Sequence, residues 1–297
     1  MASLKDLRGR IASVKSTRKI TQAMKMVAAA KLRRAQAQAE AARPYAERMQ
    51  RMLGSLGAAV AKSPTAPRML VGTGQDKVHL LVIVTADRGL AGPFNAQIIR
   101  RAFALERQLR GEGKQVKFVA IGKKGRSTFA FRRYETAGEY VGFTDRPAYA
   151  DAQAIAHRVG ELYIEGEIDR AVLVYNAYVS PLVQTVTEQD LLPISADILE
   201  TDEEERRDDA LRGDFIFEPE PEEILARLLP VYLETQVYRA LLESAASEQG
   251  ARMTAMRNAS KNAGELIDSL TLQMNRARQA EITQEILEVV AGAEALS

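Results

Sequence analysis

Apolar residues near the start of the chain return every three or four positions: Leu4, Leu7, Ile11 and Val14, then Ile20, Met24, Val27 and Leu32. A stripe this narrow predicts an amphipathic helix with a coiled-coil seam. Ala28, Ala29, Ala30, Ala35, Ala37 and Ala39 keep its later turns slim. Pro44 has no N–H and crowds the preceding turn, so a kink or break is expected there. Pro64, Pro67, Gly72 and Gly74 then punctuate a linker.

Beyond the linker the pattern changes to short apolar runs alternating with helical stretches. His79–Thr85, Lys117–Gly122, Ala171–Tyr178 and Leu182–Ile194 predict strands. Phe94–Leu109, Lys123–Arg133 and Pro147–Tyr163 predict helices, with Pro147 suited to a first turn. Strands alternating with helices imply a mostly parallel sheet. The charged run Thr201–Ala210 reads as a solvated loop or helix end.

The last stretch returns to helical spacing. Pro219 and Pro221 open a helix whose first turn is rich in acids. A bend or one lost hydrogen bond is expected at Pro230. Met253, Met256, Ser260, Ala263, Ile267, Leu270, Met274 and Ala277 keep a 3-4-3-4 spacing, the mark of a left-handed coiled-coil seam. A helix from Glu222 to Leu296 would be ~110 Å long, more than one domain of this chain can span. The expected fold class is therefore α/β plus a long antiparallel coiled coil, with the N- and C-terminal helices paired and a central Rossmann-like α/β domain. The expected divisions are 1–60 (N-terminal coiled-coil helix), 61–76 (linker), 77–212 (central α/β domain) and 213–297 (C-terminal coiled-coil helix).

Composition narrows the chemistry. The chain has 297 residues, 46% hydrophobic, which suffices for a real core. It has no cysteine, which excludes disulfides, thiolate catalysis and cysteine-ligated metals. Its two histidines, His79 and His157, lie far apart and read as a strand residue and a helix-face residue rather than a metal site. No apolar run approaches the ~20 residues of a membrane span, and the N-terminus lacks the apolar core of a signal peptide. A soluble, cytoplasmic protein that meets membranes only through partners is expected.

Net charge is only +2, but it is unevenly placed. Up to Arg34 the first arm carries Lys5, Arg8, Arg10, Lys15, Arg18, Lys19, Lys25, Lys31, Arg33 and Arg34, opposed by Asp6 alone. Such a basic rod seeks an acidic partner. It has no interleaved aromatics and no groove-reading module, so nucleic acid is not expected. After Arg278 no basic residue remains. Ile286, Leu287, Val289, Val290 and Leu296 form an apolar tip, which calls for a greasy sleeve in a partner.

The α/β domain invites a nucleotide-site reading. The run ADRGLAGPFN (Ala86–Asn95) follows the first strand, but Gly89 and Gly92 do not make the G-x-G-x-x-G spacing of a pyrophosphate turn. Gly72-Thr73-Gly74 precedes the strand, the wrong side. GKKGRS (Gly122–Ser127) is a basic glycine turn and the nearest phosphate-binding candidate. There is no P-loop motif and no G-x-S-x-G elbow. No catalytic residue, cofactor or metal is expected, and the domain reads as an enzyme-like fold without an enzyme's site.

At both ends the chain resembles the γ-subunit family of F-type ATP synthases, bacterial type. IASVKSTRKITQAMKMVAAAKLRRAQ (Ile11–Gln36) is similar to the family's N-terminal signature. SEQGARMTAMRNASKNAGELIDSLTLQMNRARQAEITQEILEVVAGAEAL (Ser247–Leu296) is similar to its C-terminal one. VTADRGLAGPFN (Val84–Asn95) and FIFEPEPEEIL (Phe215–Leu225) extend the likeness over the whole chain, with Ala91 and Pro93 where relatives often carry Cys and Gly.

The resemblance implies a non-catalytic central-stalk rotor subunit that mechanically couples proton-driven c-ring rotation to ATP synthesis or hydrolysis at β subunits. Implied partners are the α and β subunits of the hexameric head, the ε subunit and the c-ring, with room for an inhibitory subunit. It implies β-subunit contacts at Met24, Lys25, Arg278, Gln279 and Thr283, and c-ring or ε contacts at Phe215, Phe217 and Glu218. The implied location is peripheral, on the cytoplasmic face of a bacterial inner membrane; a chloroplast redox switch would need a dithiol. The rival reading is a coiled-coil adaptor that binds an acidic partner or membrane surface through its basic arm.

Overall fold

The computed structural model describes residues 3–60, 66–194 and 221–294. Two compact units share the chain: Met1–Ala29 with Arg252–Ser297, and Ala30–Ala251. The first helix, α1 (Leu4–Val60), and the last, α6 (Pro221–Glu294), contribute to both. Ser3 caps α1 reciprocally with Asp6: the Asp6 N–H donates to Ser3 Oγ at 3.2 Å, and the Ser3 N–H to Asp6 Oδ2 at 3.3 Å. Neither Pro44 nor Pro230 ends its helix; both lie inside the helical spans.

In the first unit the two helices pair along their predicted stripes. Leu7 and Ile11 of α1 bury against Ile267 and Leu270 of α6, flanked by Val14, Met274 and Ala277. Further along α1, Thr21 meets Ser260. Numbers rise on one helix as they fall on the other, so the pair is antiparallel. The expected seam of α6 is buried or half-buried at every position from Met253 to Ala277. That of α1 shifts by one residue: Ile20 and Val27 are 57% and 56% exposed, while Thr21 and Ala28 are buried. The heptad begun at Leu4, Leu7, Ile11 and Val14 runs on through 21 and 28. The seam keeps its phase even where a larger apolar side chain stands next door.

The second unit is built on a five-stranded sheet of order β3-β2-β1-β4-β5. Its strands are β1 (Val78–Val84), β2 (Gln115–Ile121), β3 (Thr136–Tyr140), β4 (Arg170–Tyr178) and β5 (Gln184–Leu192). The first four run parallel and β5 antiparallel to β4. Helices α3 (Phe94–Gly111), α4 (Lys123–Phe131) and α5 (Tyr149–Ile164) make the crossovers. Alternate side chains of the central strands enter opposite cores. Leu80, Val82 and Val84 join Val119, Ile121 and Leu173 under α5 and the adjoining parts of α1 and α6. Leu81 and Ile83 join Phe118, Ala120 and Val174 under α3 and α4. Burial on both faces is why these strands read as continuous apolar runs.

Three details differ from the sequence reading. Strand β3, TAGEY, was not foreseen, because Gly138 and a half-buried edge position leave no apolar run. Helix α5 begins after Pro147, since Asp151 Oδ2 accepts the Ala148 N–H at 2.8 Å and makes Ala148 the capping residue. Within the span read as linker, α2 (Arg68–Val71) forms one helical turn that buries Met69 and Leu70.

Candidate functional site

The helical pair presents two different surfaces. Lys5, Arg8, Arg10, Lys15, Arg18, Lys19 and Lys25 are all exposed on α1 around the buried seam. Met24 is half-buried beside them. On α6, Arg278, Gln279 and Thr283 are exposed and follow the last half-buried seam residue, Ala277. The Thr283 hydroxyl donates to the Gln279 carbonyl at 2.9 Å. The antiparallel register sets Met24 near Ser260, well before Arg278 along α6. The candidate β-contact residues thus form two groups, one on each helix, rather than one cluster. Ile286, Leu287, Val289 and Val290 are each at least half exposed. Leu296, Phe215, Phe217, Glu218 and the run Thr201–Ala210 lie outside the described residues.

In the α/β unit a ligand crevice would form at the carboxyl ends of β1 and β4, where the strand order reverses. The loop after β1 fills the neighbouring space with its own side chains. Asp87 Oδ2 accepts the Gly142 N–H at 2.8 Å, the Thr144 N–H at 3.1 Å and the Thr144 hydroxyl at 3.0 Å. Its Oδ1 accepts the Lys123 N–H at 3.0 Å, at the start of α4. Burial disfavours the charge on Asp87, but these donors outweigh it and hold its carboxyl below the usual range. An internal carboxylate therefore sits where a helix N-terminus would otherwise draw an anion. Gly125 N–H donates to Thr85 Oγ1 at 2.8 Å, and that hydroxyl donates to the Ile121 carbonyl at 2.7 Å. Gly122, read as part of a phosphate-turn candidate, serves a close approach: a Cβ there would lie 2.3 Å from the Thr85 carbonyl oxygen. Asp87 stands inside the run Ala86–Asn95, whose glycine spacing carries no signal of the carboxylate's role.

The histidines take the places foreseen. His79 is buried in β1 with Nε2 2.7 Å from Asp76 Oδ1, and His157 is exposed on α5. Among the described residues no cluster of His, Asp and Glu could hold a metal ion. A groove of about 910 Å³ runs between α1 and α6 in this unit and includes Tyr45, Tyr149, Tyr178 and Tyr238. The Tyr149 phenol is pushed up to about 12 by burial and by its bond to Glu234. The sequence reading had no signal for this groove, because its walls come from four separate segments.

Fold and surface together define a class: an α/β domain whose loop after β1 is tied to the ends of β2 and β3, in a chain whose two long helices pair antiparallel. The comparisons with known proteins are more specific. The family model described as ATP synthase matches residues 3–296. The ATP synthase gamma chain of Acidiphilium cryptum is 54% identical over 298 residues, covering all of both chains. That of Paramagnetospirillum magneticum is 51% identical over 302 residues, again covering both chains completely. Among solved structures, a chain of the central stalk and c-ring of Tetrahymena thermophila mitochondrial ATP synthase aligns with a TM-score of 0.62 and 30% identity, over 81% of this chain and 99% of that one. A chain of the Euglena gracilis mitochondrial enzyme shares the fold, with a TM-score of 0.65 at 19% identity over 99% and 94% of the two chains. The chain belongs to the ATP synthase gamma-chain family.

Proposed function

We propose that this protein is the central-stalk rotor subunit of a bacterial F-type ATP synthase, carrying torque but no catalytic site of its own. What carries this reading is the antiparallel helical pair in a chain of that family: the seam is spent on pairing, while the basic residues of α1 from Lys5 to Lys25 and residues 278–291 of α6 stay exposed. Rotation of the c-ring by protons turns the chain. The chain's angle then selects which conformation each β subunit adopts, because its contacts differ among them.

In this reading Met24 and Lys25 face an acidic β segment, while Arg278, Gln279 and Thr283 hydrogen-bond a β loop. Phe215, Phe217 and Glu218 form the foot on the c-ring and ε. Ile286, Leu287, Val289, Val290 and Leu296 turn in an apolar bearing made by the α and β head. The complex sits at the cytoplasmic face of the inner membrane. No helix among the described residues is long and apolar enough to cross a membrane, so attachment is through partners. The engagement of Asp87 and Thr85 in bonds to the ends of β2 and β3 and the start of α4 supports a structural rather than catalytic domain.

Native affinity purification tests this. The chain should bring down α and β in fixed proportion, and ATPase activity should belong to the complex alone. ATP hydrolysis by the pure chain, or purification without α and β, would overturn the reading.

A further inference from the structure

We propose that Asp145 is the joint residue by which the α/β domain grips both long helices, and that torque passes between domain and helices through it; this rests on the rotor reading above. Asp145 lies in the loop between β3 and α5. Its Oδ2 pairs with Lys31 Nζ of α1. Its Oδ1 accepts from Gln249 Nε2 of α6 at 2.7 Å. One carboxylate thus spends one oxygen on each helix, across 114 residues of sequence in one direction and 104 in the other.

The loop that carries Asp145 is itself tied to the sheet. Asp87, just past the end of β1, takes the N–H groups of Gly142 and Thr144 and the Thr144 hydroxyl. The Asp87 N–H donates back to Thr144 Oγ1 at 2.9 Å. A continuous line of directional bonds therefore runs from β1 through Asp87 and Thr144 to Asp145, and from there to α1 and α6. Apolar contacts resist separation but allow sliding, whereas hydrogen bonds and ion pairs fix register.

Gln249 supplies the second observation. It is 1% exposed, and its Oε1 has no partner among the described residues. A buried unpaired acceptor is costly, and an apolar residue would avoid the cost. The bond to Asp145 is what the amide gains. The ion pair with Lys31 adds little to stability, since the two side chains are 40% and 30% exposed. Its contribution is directional.

The test uses the reconstituted ATP synthase. Wild type, Asp145→Ala, Asp145→Asn and Lys31→Gln are compared for ATP hydrolysis, proton pumping per ATP, torsional stiffness of the rotor in single molecules, and thermal unfolding of the chain. Asp145→Asn keeps an acceptor for Gln249 but loses the anion facing Lys31. Stiffness and pumping per ATP should fall about threefold, within the range by which removing one element changes coupling. Hydrolysis should persist. The reversal Lys31→Glu with Asp145→Lys should restore coupling, because Gln249 Oε1 is available to accept from the new ammonium. A merely structural role would lower unfolding temperature and leave pumping per ATP unchanged, which overturns the proposal, as does failure of the reversal to restore it. If Asp145→Ala does not assemble, Asp145→Asn and Lys31→Gln decide by the same readouts. Uncoupled behaviour of the wild-type complex would instead sink the rotor reading, an outcome the variants cannot mimic.

Discussion

Thr21 Oγ1 and Ser260 Oγ meet at 2.6 Å in the seam between α1 and α6, a polar contact within an otherwise apolar interface. The Thr21 hydroxyl also donates to the Arg18 carbonyl at 3.0 Å. Its proton is therefore committed, and Ser260 is the donor in the pair. Ser260→Ala should cost about 0.5–1.5 kcal/mol, the net value of one hydrogen bond, without leaving Thr21 stranded. Replacing both, as Thr21→Val with Ser260→Ala, should recover that loss but weaken register, as removal of polar seam residues does. Urea unfolding reads the first effect, and spin-label distances between α1 and α6 read the second.

Glycines should respond to alanine with opposite signs. Gly122 has φ +87° and no room for a Cβ beside the Thr85 carbonyl. Gly122→Ala should destabilise by about 2 kcal/mol or more, through strain and displacement together. Gly264 sits inside α6, where a Cβ would meet only the Arg18 guanidinium at an ordinary 3.8 Å. Gly264→Ala should stabilise by up to ~1 kcal/mol from helix propensity. Paired thermal melts of the two variants check both signs.

Asp87 makes the α/β unit acid-sensitive. Its folded-state pKa lies below the ordinary value. The stabilisation is thus fully present above about pH 4 and is lost as pH falls through the folded value. Asp87→Asn sets an amide N–H₂ against backbone donors, and should cost about 1–3 kcal/mol at neutral pH. It should also flatten the fall in stability below about pH 4. Urea midpoints measured across that range would show it.

Arg278 and Gln279 are exposed on α6. If they hold a β loop, changing both to alanine should weaken coupling or assembly, each charge-assisted bond being worth ~1.5–3 kcal/mol. Nucleotide binding to isolated β should be unchanged. Normal coupled synthesis by the assembled double variant would count decisively against the contact.

The exposed residues Ile286, Leu287, Val289 and Val290 lead to a second expectation for the complex. Deleting the chain from Ile286 onward should lower the thermal stability of the assembled enzyme, because the apolar bearing loses its core. The isolated chain should melt unchanged, since these side chains bury nothing within it. An unaltered complex would argue against a bearing.

Legibility differed from element to element. Strands β1, β2 and β4 were readable because burial on both faces leaves an apolar run, as in Leu80–Val84. Strand β3 was not, since an edge strand paired on one side tolerates Gly138 and Glu139. The α6 seam was readable residue by residue from Met253 to Ala277. On α1 the eye follows the larger side chains Ile20 and Val27, whereas heptad phase selects Thr21 and Ala28. Asp87 lay in plain view, yet its role depends on donors 36 to 57 residues away.

What the amino-acid order determined by itself is local: helical and strand periodicity, the uneven placement of charge, and signatures specific enough to name a family. Those depend on residues a few positions apart, whose spacing is set by backbone geometry. Tertiary structure alone decided which side of each stripe was buried, how the loop after β1 is tied to the ends of β2 and β3, and that Lys31, Asp145 and Gln249 meet. Such contacts join residues from 36 to 114 positions apart, and their partners are chosen by packing of whole elements rather than by neighbours in the chain.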